Sequence, residues 1–162
     1  MSLGVHFALD KEQEKALLGA KSDRKLMALI EEIEEVWDEA NLVETDKAWD
    51  GIHRCLTDGE LLYDNGEYPL NHAVCGGRQL HRGNDNTVAY VTAKQTRKVA
   101  EALAAITKAG MRKRYATIDP DDYEFELCDE DFEYVWSNFL DLRRFYKSAA
   151  AAGRAVIFST DC

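Results

Sequence analysis

The C-terminal part of the chain carries the longest helical pattern in the sequence, and any fold has to bury it. From about Asp129 to Ala152, large apolar residues recur every three or four positions, and Gly153 follows as a stop signal. This spacing predicts a long helix with one buried face, because such residues line up along one side of an α-helix. The expected buried positions are Phe132, Val135, Trp136, Phe139, Leu142, Tyr146 and Ala149.

Three short apolar runs of strand length can form a sheet for this helix to pack against. They are Val5–Leu9, Thr87–Val91 and Ala155–Phe158. The first run is apolar nearly throughout, which favours a central place in the sheet, and the last is expected beside one of the other two. The sequence therefore predicts an α+β fold. One compact domain over residues 1–162 is expected, with a small mixed or antiparallel sheet packed against several amphipathic helices.

Capping signals predict three further helices. The capping residues are Asp10 with Gln13, Ser22 or Asp23, and Thr92 with Gln95. The first of these helices is expected to end at Gly19 and the third at Gly110, whereas the apolar stripe of the second continues to Ala40. The alternating segment Glu124–Leu127 predicts a short edge strand.

A short helix with a tryptophan and a histidine on its apolar side is predicted to end at Gly59. Thr45 or Asp46 is expected to cap its first turn. Asp50 and Arg54 are four residues apart and are expected to pair on its solvent-exposed face. Because the link from the preceding helix is short, the two helices are expected to pack as neighbours.

His53 is the most informative residue of this helix. It lies four residues after Trp49 and three before Leu56, so it shares the apolar face. As a functional residue it would be a catalytic acid, base or ligand in a cleft, with Trp49 as an apolar wall and Asp46 or Asp50 orienting the ring. As a structural residue it would be a hydrogen-bonded core histidine packed on Trp49. The structural interpretation is favoured because one helix supplies no second catalytic group.

The helix also contains a recognisable run of residues. This run is Asp46-Lys47-Ala48-Trp49-Asp50-Gly51-Ile52-His53, followed by Leu56-Thr57. Weaker matches are Gly4-Val5-His6-Phe7-Ala8, Pro69-Leu70, Ala73-Val74 and Gly76. Together they resemble the YfbM-like family of small bacterial proteins, a domain of unknown function, over nearly the whole chain. Where the family pattern has a glycine after Leu-Thr, this chain has Asp58 before Gly59. The resemblance implies a compact α+β fold and carries no activity or catalytic residue.

Composition excludes several classes of protein. The net charge of −10 argues against nucleic acid as the main partner, since phosphate binding needs a basic surface. No apolar run is long enough for a membrane helix, and the first residues lack the features of a secretory signal, so a cytoplasmic protein is expected. The four cysteines form no C-x-x-C pair, which argues against a zinc ribbon or a disulfide framework. No metal site or cofactor is predicted.

Charge is unevenly distributed along the chain. The second helix presents a run of carboxylates without a base, at Glu31, Glu32, Glu34, Glu35, Asp38 and Glu39. This face could dock a cationic protein or a divalent ion, although a solvated helix face is favoured. The segment from Lys94 to Arg114 is locally basic and is expected to lie against acidic segments elsewhere in the fold.

Two functions remain open from the sequence. The first is a non-enzymatic binding or interaction protein with an acidic surface and a basic protein partner. The second is a small hydrolase or ligand-binding enzyme with its site at the Trp49/His53 helix. In that case His53 is the candidate catalytic residue, and Asp46, Trp49, Asp50 and His53 are the candidate binding residues. The first hypothesis is slightly favoured, and the sequence leaves the oligomeric state open.

Overall fold

One antiparallel sheet of five strands forms the centre of the fold in the computed structural model, which describes residues 2–83 and 86–161. The strands are β1 (Leu3–Leu9), β2 (Leu42–Asp46), β3 (Arg78–Arg82), β4 (Thr87–Val91) and β5 (Ala155–Asp161). Their order across the sheet is β2-β1-β5-β4-β3, and every neighbouring pair is antiparallel. The prediction of a small mixed or antiparallel sheet is thus confirmed, and the sheet is antiparallel. The first strand is internal, as expected, and the last, which was expected beside one of the other two, lies between both, β1 and β4.

Helices cover both faces of this sheet. Within the described residues they are α1 (Lys11–Leu18), α2 (Asp23–Val36), α3 (Trp49–Leu56), α4 (Ala93–Ala104), α5 (Lys108–Tyr115) and α6 (Asp129–Ala151). Two single-turn 3₁₀ helices lie at Glu39–Asn41 and Leu70–His72. The long C-terminal helix is confirmed as α6, and none of the helices combines the length and apolar character needed to cross a membrane.

Strand alternation divides the core into two layers. Phe7 and Ile157 point to one face and pack with Leu26 and Ile30 of α2. Their neighbours Ala8, Val156 and Phe158 point to the other face, where residues of α3, α4, α5 and α6 form the larger cluster. Helices α2 and α3 therefore contribute to the cores on opposite faces of the sheet. The expectation that they pack as neighbours was wrong, because the link between them forms strand β2.

Local signals placed the starts of α1 and α4 correctly but misplaced other helix ends; α2, for example, ends at Val36 and not at Ala40. Both predicted capping boxes are present at the starts of α1 and α4. The helix that begins after Thr92, however, ends at Ala104 instead of Gly110. The hydroxyl of Thr107 accepts a hydrogen bond from the Gly110 N–H at 3.0 Å and caps a new helix, α5, in which Gly110 is an interior residue. The predicted edge strand Glu124–Leu127 is irregular loop instead.

Candidate functional site

Helix α3 begins later than the sequence predicted, and the residues that were predicted to cap it have other structural roles. Thr45 lies in β2 and Asp46 ends that strand with a positive φ of 50°, so neither caps the helix. The Asp46 carboxylate accepts a hydrogen bond of 2.5 Å from the Tyr134 hydroxyl, whose oxygen in turn accepts the Lys47 N–H at 3.1 Å. Asp46 therefore ties the sheet edge to α6.

Asp50 and Arg54 form an ion pair, as expected from their spacing, but the pair is buried. Asp50 is 3% exposed and Arg54 is 4% exposed. The guanidinium donates to Asp50 at 2.5 Å, to Asp122 at 2.7 Å and to the carbonyl of Gly59 at 3.3 Å. Burial raises the pKa of the Asp50 carboxyl, and the hydrogen bond from Arg54 opposes that rise. The exposed face predicted for this pair was wrong because the segment around Asp122 covers α3.

His53 lies in the interior with both ring nitrogens occupied. It is 1% exposed. Its Nε2 lies 3.0 Å from Oδ1 of Asn65, whose Nδ2 donates to the Asp58 carboxylate at 2.6 Å and to the Glu60 carbonyl at 2.9 Å. Since the amide nitrogen is committed as a donor, Oδ1 must accept, and Nε2 carries the ring proton. The Cys75 N–H donates to Nδ1 at 3.4 Å.

This environment gives His53 a structural role in the fold. Burial lowers the pKa of the ring, which favours the neutral tautomer that the two hydrogen bonds require. Asp50 is bound to Arg54, and His53 is bound to Asn65 and Cys75, so these two side chains form no catalytic dyad. The arrangement favours the interpretation of His53 as a satisfied core histidine. Its hydrogen-bond partners include the Asn65 side chain and the Cys75 backbone amide.

Trp49 is the one predicted site residue that lines an open cavity. Its indole N–H donates to the Ser2 carbonyl at 2.9 Å, and its ring packs on Phe158 with 5.6 Å between centroids. Beside these rings is a cavity of about 240 Å³. Leu61 and Leu62 from the loop after α3 form another part of its wall. The cavity is therefore largely aromatic and aliphatic, as ligand pockets generally are.

The polar part of the wall comes from segments distant in the sequence. Thr87 of β4 and Thr160 of β5 contribute hydroxyl-bearing side chains. Arg82 of β3 places its guanidinium carbon 3.8 Å from the centroid of the Tyr63 ring, so cation and ring stack. Among the described residues that line the cavity, Arg82 is the only charged one. Sequence patterns did not predict this grouping, because β3 was not predicted and Tyr63, Arg82, Thr87 and Thr160 lie in four separate elements or loops.

Cys75 also reaches this wall but offers no reactive thiolate. Burial raises the pKa of its thiol far above the usual range, so the group is a neutral thiol. The nearby His72 is hydrogen-bonded through Nδ1 to the Asn71 side chain at 2.7 Å. His72 and Cys75 therefore form no nucleophile pair. Across residues 2–83 and 86–161, no three histidine, cysteine or carboxylate side chains are grouped so that they could hold a metal ion.

The fold and the site together define a small α+β protein with a five-stranded antiparallel sheet and a pocket beside helix α3. The family model described as "Domain of unknown function (DUF1877)" matches residues 1–159, and the chain belongs to this family. The resemblance to YfbM-like proteins seen in the sequence is thereby confirmed.

A solved structure with the same fold supports this assignment. It is the crystal structure of YfbM, a protein of unknown function from Escherichia coli. The two chains are 19% identical, and the match covers 98% of this chain and 99% of the other with a TM-score of 0.72. A search of curated proteins gave no match. The comparisons therefore establish family and fold, and they assign no function.

Proposed function

We propose that this protein is a binding protein whose ligand is a small aromatic carboxylate held in the cavity beside Trp49. The observation that carries the proposal is the composition of that wall. Aromatic rings of Trp49, Phe158 and Tyr63 surround a space in which Arg82 is the only charged lining residue within the part of the chain that the structure describes. Such a combination of apolar walls with one placed charge is typical of small-molecule sites.

The volume of the cavity sets the size of the ligand. An engineered protein cavity of about 150 Å³ accepts one benzene ring. The 240 Å³ beside Trp49 therefore fits one ring with a short polar substituent. The indole of Trp49 and the ring of Phe158 offer the offset or edge contacts that aromatic pairs prefer.

The charge of the wall favours an anion. The chain carries a net charge of −10, so its average field repels anions. Against this background, the guanidinium of Arg82 is a local positive charge at the cavity wall. This planar group can form two parallel hydrogen bonds with a carboxylate. Within the described residues Arg82 makes no ion pair with a carboxylate, and its guanidinium stacks on the ring of Tyr63. The guanidinium therefore keeps donors for a ligand.

Binding without catalysis is the role supported by the groups that line the cavity. Cys75 is a neutral buried thiol, and the ring of His53 is occupied by Asn65 and the Cys75 amide. General acid–base catalysis needs a titrating group within hydrogen-bond reach of the substrate. Among residues 2–83 and 86–161, those that line the cavity include no carboxylate or histidine.

The test compares benzoate with its neutral analogue benzamide. Binding to the full chain is measured by titration calorimetry and by chemical-shift changes of the Trp49 indole N–H. We expect benzoate to bind the wild-type protein and Arg82→Gln to weaken it by about tenfold, the loss of one charge-assisted contact. Arg78→Gln is the matched control, since Arg78 lies on the same strand but lines a different cavity.

Three outcomes contradict the proposal. They are no binding of either compound, equal binding of benzoate and benzamide, and equal weakening by Arg82→Gln and Arg78→Gln. Equal binding of the two compounds to the wild-type protein, with weaker binding in Arg82→Gln only, would support the cavity as the binding site but contradict its preference for anions.

A basic protein partner is a second candidate function, favoured by the groove between α1 and α2. This groove of about 280 Å³ has Glu12 and Glu32 in its wall and no lysine or arginine. At its end Val36 is 75% exposed, an unusual position for a large apolar residue. A lysine-rich amphipathic peptide should bind there and dissociate as salt rises. Glu32→Lys should weaken binding of this peptide, whereas Glu101→Lys on α4 should not. Equal effects of the two variants on peptide binding would contradict a docking site in this groove.

We also propose that the protein works in the bacterial cytoplasm. Cys55, Cys75 and Cys128 are free thiols, and disulfides are rare where glutathione and thioredoxin keep thiols reduced. The structural relative from Escherichia coli fits a bacterial source. Fluorescence of a C-terminal fusion in a bacterial host should be uniform through the cell interior, and a peripheral or secreted signal would contradict this location.

A further inference from the structure

The largest groove described in the structure lies between α4 and α6, away from the Trp49 cavity. It measures about 920 Å³. Its floor is made of small or aliphatic residues, among them Ala100, Ala104 and Leu140. Small side chains on two packed helices leave a shallow channel into which a third helix can lay its apolar face.

The rim of this groove is basic although the protein is acidic. Arg97 on α4 and Arg143, Arg144 and Lys147 on α6 line it, and the single acidic lining residue is Glu101. With a net charge of −10 for the whole chain, four cations along one channel form a local reversal of sign. Charge of this kind steers an oppositely charged partner and fixes its orientation.

Three of these cations, Arg97, Arg143 and Lys147, make no ion pair with a carboxylate among the residues that the structure describes. Arg144 pairs with Asp141 at 3.0 Å, and Glu101 pairs with Lys98 at 3.9 Å. Arg143 donates to the Ile106 carbonyl at 3.0 Å, which holds its side chain along the groove. Arg97 and Lys147 take part in none of these contacts. Their charges are therefore available to an external acidic group.

The sequence-based expectation for the basic segment is confirmed only in part. That segment was expected to lie against acidic parts of the fold, and Lys108 does pair with Glu133 at 2.8 Å while Arg112 pairs with Asp129. Arg97 instead joins cations of α6 on the opposite wall of a groove. The tertiary packing of α4 on α6 thus assembles a surface that neither helix shows alone.

We propose that the groove between α4 and α6 docks an acidic amphipathic helix of another protein. The apolar face of that helix would lie on the floor around Ala104 and Leu140. Its carboxylates would meet Arg97 and Lys147. Nucleic acid fits less well, because no aromatic side chain lines the groove for base stacking and the net charge of the chain repels a polyphosphate.

The test uses a designed helical peptide of about 14 residues with leucine on one face and glutamate on the other. A second peptide carries lysine in place of glutamate. Binding is measured by fluorescence polarisation, and amide chemical shifts of the labelled full chain show where the peptide lies. We expect the acidic peptide to shift amides of α4 and α6 and to bind more weakly as salt rises from about 0.05 to about 0.5 M.

Matched charge reversals decide between docking and general electrostatic attraction. Lys147→Glu in the groove should weaken the acidic peptide by at least about tenfold. Lys113→Glu makes the same change in charge on exposed α5, outside the groove, and should have little effect. Both side chains are exposed, so neither change should disturb folding. Equal effects of the two variants, or equal binding of the two peptides, would overturn the proposal.

Two further results would identify a different partner for this groove. Sedimentation of the protein alone as a dimer that Lys147→Glu dissociates would make the occupant a second copy of this chain. Binding of a single-stranded oligonucleotide in the same groove with higher affinity than the acidic peptide would make it nucleic acid. Either result overturns the assignment of an acidic protein helix.

Discussion

The Nε2 atom of His53 lies 3.0 Å from Oδ1 of Asn65, and this contact joins helix α3 to the loop that follows it. Asn65 also binds Thr57, Asp58 and the Glu60 carbonyl through its amide nitrogen. One asparagine thus holds together the loop that leads into the wall of the Trp49 cavity. The histidine most suggestive of catalysis in the sequence is in this way part of the framework that shapes the neighbouring pocket.

His53→Gln is therefore expected to destabilise the protein. Loss of the ring should lower the free energy of unfolding by about 1–3 kcal/mol, because it strands the Asn65 amide oxygen and the Cys75 N–H. Asn65→Ala should cost a similar amount, and the double variant less than the sum, since the two residues share one contact. Urea unfolding of the four proteins measures the coupling. Unchanged stability of His53→Gln would contradict the structural role.

Arg54→Leu is expected to be far more damaging than the loss of an exposed ion pair. It leaves the Asp50 carboxylate buried without its partner, which typically costs about 3–5 kcal/mol. The double variant Asp50→Leu/Arg54→Leu should recover part of this loss, because no buried charge remains. Arg144→Leu is the control, since its pair with Asp141 is largely exposed and is worth about 0–1 kcal/mol. Chemical denaturation checks the series, and similar losses for Arg54→Leu and Arg144→Leu would contradict it.

His6 is expected to make the fold sensitive to acid. It is fully buried between Phe158 and Tyr146, with Nε2 2.8 Å from the Ala73 carbonyl, and burial lowers its pKa from 6.5 to about 4. Between these two pH values the unfolded chain binds a proton that the folded chain does not. The contribution of His6 to stability is therefore complete above pH 6.5 and falls toward pH 4, by up to about 3 kcal/mol.

His6→Phe should flatten this dependence on pH. Phenylalanine keeps the packing, and the Ala73 carbonyl still accepts a hydrogen bond from the Tyr146 hydroxyl at 2.9 Å. The substitution also removes Nδ1, which has no hydrogen-bond partner among the described residues. Thermal midpoints measured from neutral pH to pH 4 should fall less steeply in the variant than in the wild type. Parallel curves would show that His6 does not carry the effect.

Gly51→Ala should destabilise the protein although alanine is the better helix former. A Cβ atom at this position would lie 2.8 Å from Cγ2 of Val135 and 2.9 Å from the Tyr123 hydroxyl. Such overpacking costs about 1–3 kcal/mol, more than the roughly 1 kcal/mol of helix propensity that alanine gains. Ser137→Ala, on the exposed surface of α6, should change stability by less than about 0.5 kcal/mol. A stabilised Gly51→Ala would contradict the tight packing of α3 on α6.

Predictions from the sequence succeeded where the signal is local. The apolar stripe of α6, the capping boxes at Asp10 and Thr92, and the three most apolar strands were all read from neighbouring residues. The strands β2 and β3 were missed because they are short, contain charged residues and lie at the two edges of the sheet. An edge strand gains its structure from pairing with a partner distant in sequence, which a local pattern does not show.

The sequence by itself determined the fold class, the family and the burial of His53, because hydrophobic periodicity and the motif around Trp49 are properties of contiguous residues. Only the tertiary structure decided that Asp50 and Arg54 are buried, because the segment around Asp122 that covers them is distant in the sequence. It alone assembled the Trp49 cavity and the basic groove of α4 and α6, whose residues come from separate segments. Periodicity shows which face of an element is apolar, whereas strand pairing and helix packing decide which faces meet.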